Sequence, residues 1–328
     1  DDANEQQQLD DAAKAIADDC QQHAGALLAH VGTDDVVRDM DSIRAAVGDE
    51  KLTYLGYSYG TLLGLRYAEL FPTHVRAIVV DGVVDPTQDF VGFLRDQTAA
   101  FDKQLGITLD GCPAGKSGCP ADGASAAYDK IAAQVETDPI KVGDRQVGPN
   151  ELATAAIYSA YAPSFATQLY SALDAAERGD GKALLRMNDG YEGSVHFSSY
   201  AAVECIDSPH PEGAVAFKAF ADELTQLSPR FGPSVANELL ACAFWPAPVQ
   251  NVVGPVHAHG APPLLVIGTT GDAATPYANA VRVAGDLEQS RLLTVNGTGH
   301  TSGENSCAQQ ATASYLVDLT LPDEGAQC

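Results

Sequence analysis

The chain has 328 residues, 45% hydrophobic and 19% charged, which allows a sizeable buried core and excludes a disordered polypeptide. It carries 44 Asp+Glu against 19 Lys+Arg, a formal charge of −25 spread along the chain. Such a surface repels phosphate backbones and anionic lipid, so nucleic acid and membrane surfaces are excluded as partners. The plain reading of the charge is solubility; the sharper one is a field that attracts cationic substrates such as peptide amino termini.

No apolar run nears the ~20 residues of a membrane helix, and the opening "DDANEQQQLDD" lacks the basic and apolar regions of a signal peptide. If the protein is exported, its signal is expected to have been removed. Residues 6 to 30 and 33 to 47 carry apolar positions at helical spacing, with Thr33-Asp34-Asp35 as a start and Gly48 as a stop. "KLTYLGY" is strand-like, "YGTLLGLRYAELFP" reads as a helix ended by Pro72, and "VRAIVVDGVV" has the unbroken apolar character of a buried parallel strand.

From about Pro86 to Pro255 helical segments follow one another through Pro- and Gly-rich loops, among them "FVGFLRDQTAAFDKQLG", "ASAAYDKIAAQVET" and "FATQLYSALDAAERGDGKALLRMND". A helical insertion between two strands of one sheet predicts a cap. Strand character returns in "PPLLVIGTTGD", followed by a helix from about Pro276 to Leu287, the strand "SRLLTVNG" and a closing helix. This alternation predicts an α/β fold with a parallel sheet, divided as core (1–90), cap (91–255) and core again (256–328).

The seven cysteines form no CxxC motif or zinc-like cluster. "CPAGKSGC" reads as a loop closed by Cys112 and Cys119; Cys205 with Cys242 and Cys307 with Cys328 are the further expected pairs, leaving Cys20 over. Disulfides imply an oxidising compartment, hence a secreted protein.

"GYSYG" places Ser58 in a G-x-S-x-G pattern between a strand and a helix. That context is the nucleophile elbow, in which a strained turn exposes the serine hydroxyl. Gly56 and Gly60 are both expected to be required by close backbone passage. A serine needs a base, and of eight histidines only His300, in "NGTGHTS" after the last strand, lies where a base could reach the elbow. His23, His30 and His74 sit near early helices and His196 and His210 in the insertion; His257 and His259 form an i, i+2 pair without an obvious third metal ligand. Asp272, on the turn after "LLVIGTTG", is the acid expected to fix the imidazole, with Asp81 and Asp85 as fallbacks and Asp81 better read as a structural loop residue. The order Ser58, Asp272, His300 is that of the α/β-hydrolase arrangement.

The stretches "YLGYSYGTLLGLRYAELFPTHVRAIVVDGVVDP", "VECIDSP", "PPLLVIGTTGDAATPYANAVRVAGDL" and "TVNGTGHTSGENSCAQQATASYLVDLTLPDEGAQC" resemble the secreted tripeptidyl-aminopeptidase-like serine hydrolases, of the prolyl-aminopeptidase branch of the α/β hydrolases. The resemblance implies a cofactor-free enzyme that cleaves short peptides from a free amino terminus, with the triad on Ser58, Asp272 and His300. It also implies an acidic residue near the cysteine of "AAVECIDSP" to read the ammonium group: Glu204 first, Asp207 second. One oxyanion donor is the backbone N–H of Tyr59. The Gly-rich loop that gives the second donor in that family has no counterpart before Ser58, so the first strands of the fold are expected to be missing or to lie on a separate chain, where Cys20 would find its partner. An esterase with the same triad, and a non-catalytic fragment with an incomplete oxyanion hole, are the alternative readings.

Overall fold

The computed structural model describes residues 3–194, 197–250 and 252–328. Two helices lead in, α1 (Ala3–Ala24), followed by a 3₁₀ turn, and α2 (Thr33–Ala46), whose first turn sets Asp34 and Asp35 at the positive end of the helix dipole. A strand–helix–strand unit follows: β1 (Leu52–Tyr57), α3 (Tyr59–Leu70) and β2 (Val75–Asp81). The insertion contains α4 (Phe90–Asp110), α5 (Ala124–Val135), the hairpin β3 (Ile140–Val142) and β4 (Arg145–Val147), α6 (Pro149–Ser159), α7 (Pro163–Ala176), α8 (Lys182–Ser194), α9 (Phe197–Asp207), α10 (Gly213–Leu227) and α11 (Gly232–Asn237). The chain then returns through β5 (Leu264–Gly271), α12 (Tyr277–Asp286), β6 (Ser290–Thr298) and α13 (Ser306–Asp318).

The main sheet has the order β1-β2-β5-β6, with every pairing parallel. Ile78, Val80, Leu264 and Val266 face one side, onto Leu65 and Ala68 of α3 and Ala280 and Val283 of α12. Ala77, Val79, Leu265 and Ile267 face the other side, onto Ala308 and Tyr315 of α13. Both faces are covered, which is why these strands read as unbroken apolar runs rather than alternating ones. Full burial of each such Val, Leu or Ile contributes roughly 1.5–3 kcal/mol, so β2 and β5 are the firmest part of the sheet.

The two edges of the sheet differ. The C-terminal tail runs beside β6, with Cys328 N–H donating to Thr294 O at 2.8 Å and Thr294 N–H to Ala326 O at 3.2 Å. The Cys307–Cys328 disulfide ties this tail to the first turn of α13. β1 pairs only with β2, so its outer edge is open among the described residues.

Several expected elements differ in detail. The stretch read as one helix from Phe165 onward is two, α7 and α8, because the chain turns at Gly179, which has φ 84°, and Gly181 is packed against Val147 and Val142. The β3–β4 hairpin inside the insertion was not anticipated; its strands of three residues are too short to show a period. Ala13 of α1 packs into the same cluster as the insertion, so that helix lies on the cap rather than on the sheet. Cys112–Cys119, Cys205–Cys242 and Cys307–Cys328 are bonded as expected, and Cys20 is free and half-buried.

At the end of the sheet opposite the elbow, α2, α3 and the turn before β2 are locked by one carboxylate. Asp41 Oδ1 accepts from Arg44 Nε at 2.8 Å and Tyr67 OH at 2.9 Å, and it contacts His74 Nδ1 at 2.8 Å. The Arg44 guanidinium, together with His74 and Tyr67, holds the Asp41 carboxyl down to about 2. A depressed value means the contribution is fully present above about pH 4 and is lost as pH falls toward 2. Asp41→Asn is therefore expected to lower Tm by a few degrees at neutral pH, with wild type and variant converging below about pH 2 in thermal melts. Replacing Cys307 and Cys328 by serine releases a 21-residue span. The expected cost in a reversible urea titration is about 3 kcal/mol on the loop-entropy relation.

Candidate active site

β1 runs directly into α3 through Ser58, which takes φ 52° and ψ −125°. A non-glycine residue at positive φ is costly and persists only where its surroundings over-determine it. Here Ser58 N–H donates to Asp81 O at 3.1 Å, Ser58 O accepts from Thr61 N at 2.8 Å and from the Thr61 hydroxyl, and Thr61 Oγ1 in turn accepts from Val84 N at 3.0 Å. The turn is pinned on both sides of the serine. A Cβ on Gly56 would stand 2.3 Å from Gly60 O, so glycine is required there. Gly60 is a different case: a Cβ would meet only the Tyr54 hydroxyl, at 3.3 Å. The expectation that both glycines are needed is thus corrected to Gly56 alone, because the close approach is made by the backbone of Gly60 and not by its Cα substituent.

The expected acid and base, Asp272 and His300, lie on the turns after β5 and β6. His300 Nδ1 lies 3.1 and 3.0 Å from the two oxygens of Asp272, which is buried. Asp272 also accepts from Thr275 N at 2.9 Å, Thr275 Oγ1 at 3.0 Å and Thr301 N at 2.9 Å. With Nδ1 turned to the carboxylate, Nε2 is the ring nitrogen left for other chemistry. The Tyr161 ring packs nearly perpendicular to the imidazole at 5.2 Å between centroids, and Tyr161 O accepts the His300 amide at 2.9 Å. His300 Cε1 lies against Gly82, next in sequence to the carbonyl that holds Ser58. Ser58 Oγ makes no hydrogen bond to His300 among the described residues; such contacts commonly close only on substrate.

Of the fallback acids, Asp85 is buried and pairs with Arg282 at 3.1 Å. Asp81 is the last residue of β2 rather than a loop residue. Tyr59 opens α3, where the amide has no intrahelical partner. Its side chain reaches away to Thr33 Oγ1 at 2.7 Å. His257 and His259 face Asp286 O and Glu288, and His196 lies outside the described residues.

A cavity of about 450 Å³ lies between sheet and cap, and Ser58, Tyr59, Thr275, Tyr161, Glu204 and Asp207 all line it. Its walls are mainly apolar and aromatic, and no Lys, Arg or His among the described residues lines it. Asp207 Oδ1 accepts Thr33 N–H at 2.9 Å, so this carboxylate is partly spent on the start of α2, while Oδ2 lacks a hydrogen-bond partner among the described residues. Glu204, one helical turn earlier on α9, has no hydrogen-bond partner among the described residues. Protein walls it in, and desolvation, helped by Asp207 and Glu238, pushes its carboxyl up to about 8. Glu238, just past α11, also lines the cavity, and desolvation together with Glu192 raises it to about 7. Sequence reasoning missed Glu238: "VANELLACAF" offers only one more acidic residue in an acidic chain, and its place beside Glu204 arises from the cap's packing around Cys205–Cys242.

A parallel sheet, a strained serine elbow at its carboxyl end and a paired Asp and His on the following turns are the features of the α/β-hydrolase fold. Residues 13–116 match the alpha/beta hydrolase fold family, and residues 228–328 match the family described as TAP-like protein. The chain is 36% identical over 326 residues to the serine protease Hip1 of Mycobacterium tuberculosis, covering 92% of this chain and 62% of that protein. It is 35% identical over 336 residues to carboxylesterase B of the same organism, covering 96% and 64%. It is 33% identical over 327 residues to the tripeptidyl aminopeptidase of Streptomyces lividans, covering 93% and 59%. By these matches the chain is similar to the TAP-like serine hydrolases, and it spans about three fifths of the length of these relatives.

The elbow yields a direct comparison. Gly56→Ala is expected to abolish soluble, folded protein or to displace Ser58 so that a fluorophosphonate no longer labels it. Gly60→Ala, within a helix and facing open space apart from one hydroxyl, is expected to keep Tm within a few degrees of wild type.

Proposed function

We propose that this chain carries the catalytic centre of a serine exopeptidase that releases short peptides or single residues from free amino termini through an acyl-enzyme. Ser58 is the nucleophile, His300 the base and Asp272 the acid that orients it. The observation that carries this reading is the cavity: the space that opens on Ser58 also presents Glu204 and Glu238, two carboxyls raised by desolvation and lacking any cation among the described residues. A substrate ammonium supplies the missing charge through charge-assisted hydrogen bonds, which are roughly twice as strong as neutral ones.

In the first step Ser58 Oγ attacks the scissile carbonyl while His300 Nε2 takes its proton. Asp272 keeps Nδ1 protonated and stabilises the imidazolium that forms. The negative oxygen is met by Tyr59 N–H at the start of α3. His300 then gives its proton to the leaving amine, and water repeats the sequence to release the peptide. The three disulfides favour a secreted, oxidising setting for this work.

A second reading, an esterase with the same three residues, is favoured by the apolar cavity wall and by the relative named carboxylesterase B. The two separate on parallel hydrolysis of a short peptide anilide with free and acetylated amino terminus. Preference for the free form by a hundredfold or more, cut to near parity by Glu204→Gln, is the expected result. Equal rates on both, with faster cleavage of simple esters, would make the esterase reading correct. Absence of any hydrolysis and of fluorophosphonate labelling at Ser58 would leave a binding module.

The same glutamate gives a stability prediction. A carboxyl raised in the folded state imposes no cost below about pH 4.5, and the cost grows as pH rises toward 8. Glu204→Gln is therefore expected to raise Tm by a few degrees at pH 8 and to leave it unchanged near pH 4.5, while impairing recognition of free amino termini.

A further inference from the structure

Asp81 is 1% exposed, at the carboxyl end of the central strand β2, and forms no ion pair with any Lys, Arg or His among the described residues. A buried carboxylate without a cation is expensive, and its hydrogen bonds must be complete for it to persist. Both of its oxygens are taken by one residue 221 positions away: Oδ1 accepts Ser302 N–H at 2.9 Å, and Oδ2 accepts the Ser302 hydroxyl. Ser302 is two residues past His300. On the other side, the main-chain carbonyl of Asp81 accepts Ser58 N–H at 3.1 Å. One residue thus grips the elbow through its backbone and the base loop through its side chain.

The loop it grips is held amide by amide. His300 N–H goes to Tyr161 O in the cap, Thr301 N–H to Asp272 after β5, and Ser302 N–H to Asp81 at the end of β2. Thr301 carries φ 66°, a conformation that a threonine adopts only under such constraint, and its carbonyl accepts from Thr269 Oγ1 at 2.8 Å. Removing the third grip leaves the strained Thr301 free to relax and carry His300 with it.

We propose that Asp81 is a positioning residue for the hydrolytic reaction: its clamp on Ser302 sets the His300 imidazole relative to Asp272 and Ser58. This rests on the triad reading given above, and the test separates the two. The fold supplies the logic for the variants. Asp81→Asn preserves both partners, since its amide oxygen accepts Ser302 N–H and its NH₂ donates to the Ser302 hydroxyl. Asp81→Ala removes both, and Ser302→Ala removes one of the two while leaving a half-buried position undisturbed.

The first readout is the low-field ¹H NMR signal of the His300 Nδ1–H bonded to Asp272, assigned by its loss in His300→Ala. The second is the rate of fluorophosphonate labelling at Ser58, with circular dichroism and Tm as controls for folding. The expected pattern is a retained signal and a labelling rate within about threefold of wild type for Asp81→Asn. Asp81→Ala should lose or broaden the signal and label ten- to a hundredfold more slowly, and Ser302→Ala should shift or broaden the signal and slow labelling a few-fold. The double variant Asp81→Ala, Ser302→Ala should be no worse than Asp81→Ala, because one clamp is lost once. An unchanged signal in folded Asp81→Ala, or in Ser302→Ala if the former does not fold, overturns the proposal. Equal damage from Asn and Ala overturns it too, since charge and not the clamp would then be what matters. Absence of the signal from the wild type overturns the triad pairing itself, a separate failure.

Discussion

The passage of Gly56 beneath the carbonyl of Gly60, with 2.3 Å available where a Cβ would stand, is the constraint from which the site follows. It forces the chain to reverse from β1 into α3 within one residue, and that residue is Ser58 at positive φ. The strain is held by hydrogen bonds from β2 and α3, and these exist only because β2 is buried on both faces and fixed in register with β1 and β5. Core packing and the geometry of the candidate site are therefore one problem: the apolar strands that stabilise the sheet also set where the serine stands.

Around that point, each further group is delivered by a different turn at the same end of the sheet. Asp272 follows β5, His300 follows β6, and Asp81 ends β2. Parallel strands bring these turns together by construction, as ligand sites in open α/β sheets collect outside the carboxyl ends of the strands. The cap contributes in two ways. Tyr161 holds the His300 amide and packs against its ring, and α9 with the segment after α11 sets Glu204 and Glu238 into the cavity. Cys205 follows Glu204 on α9, and its disulfide to Cys242 ties that helix to the segment after α11 that carries Glu238.

The charge pattern of the site is uneven in a useful way. Asp41, at the far end of the sheet, is held below the ordinary range by Arg44, and the pair contributes to stability. Asp81, Glu204 and Glu238 are all raised by desolvation and lack a cation among the described residues. A fold keeps such carboxyls only where their cost is offset by hydrogen bonds, as for Asp81, or by a ligand, as the reading of the cavity holds for the other two.

The sequence by itself determined the local features. The unbroken apolar runs marked β2 and β5, the G-x-S-x-G pattern marked the elbow, and the three disulfide pairs could be drawn from spacing and position. These are legible because each depends on neighbours in the chain or on a short list of rare residues. Tertiary structure alone decided the remainder. It distinguished Gly56 from Gly60, placed Glu238 beside Glu204 although they are 34 positions apart, and turned Asp81 toward a serine 221 residues away. In an acidic chain of 44 carboxylates no local pattern separates these from a solvated surface residue. What separates them is desolvation and the direction of a single hydrogen bond, and both exist only once distant segments have packed.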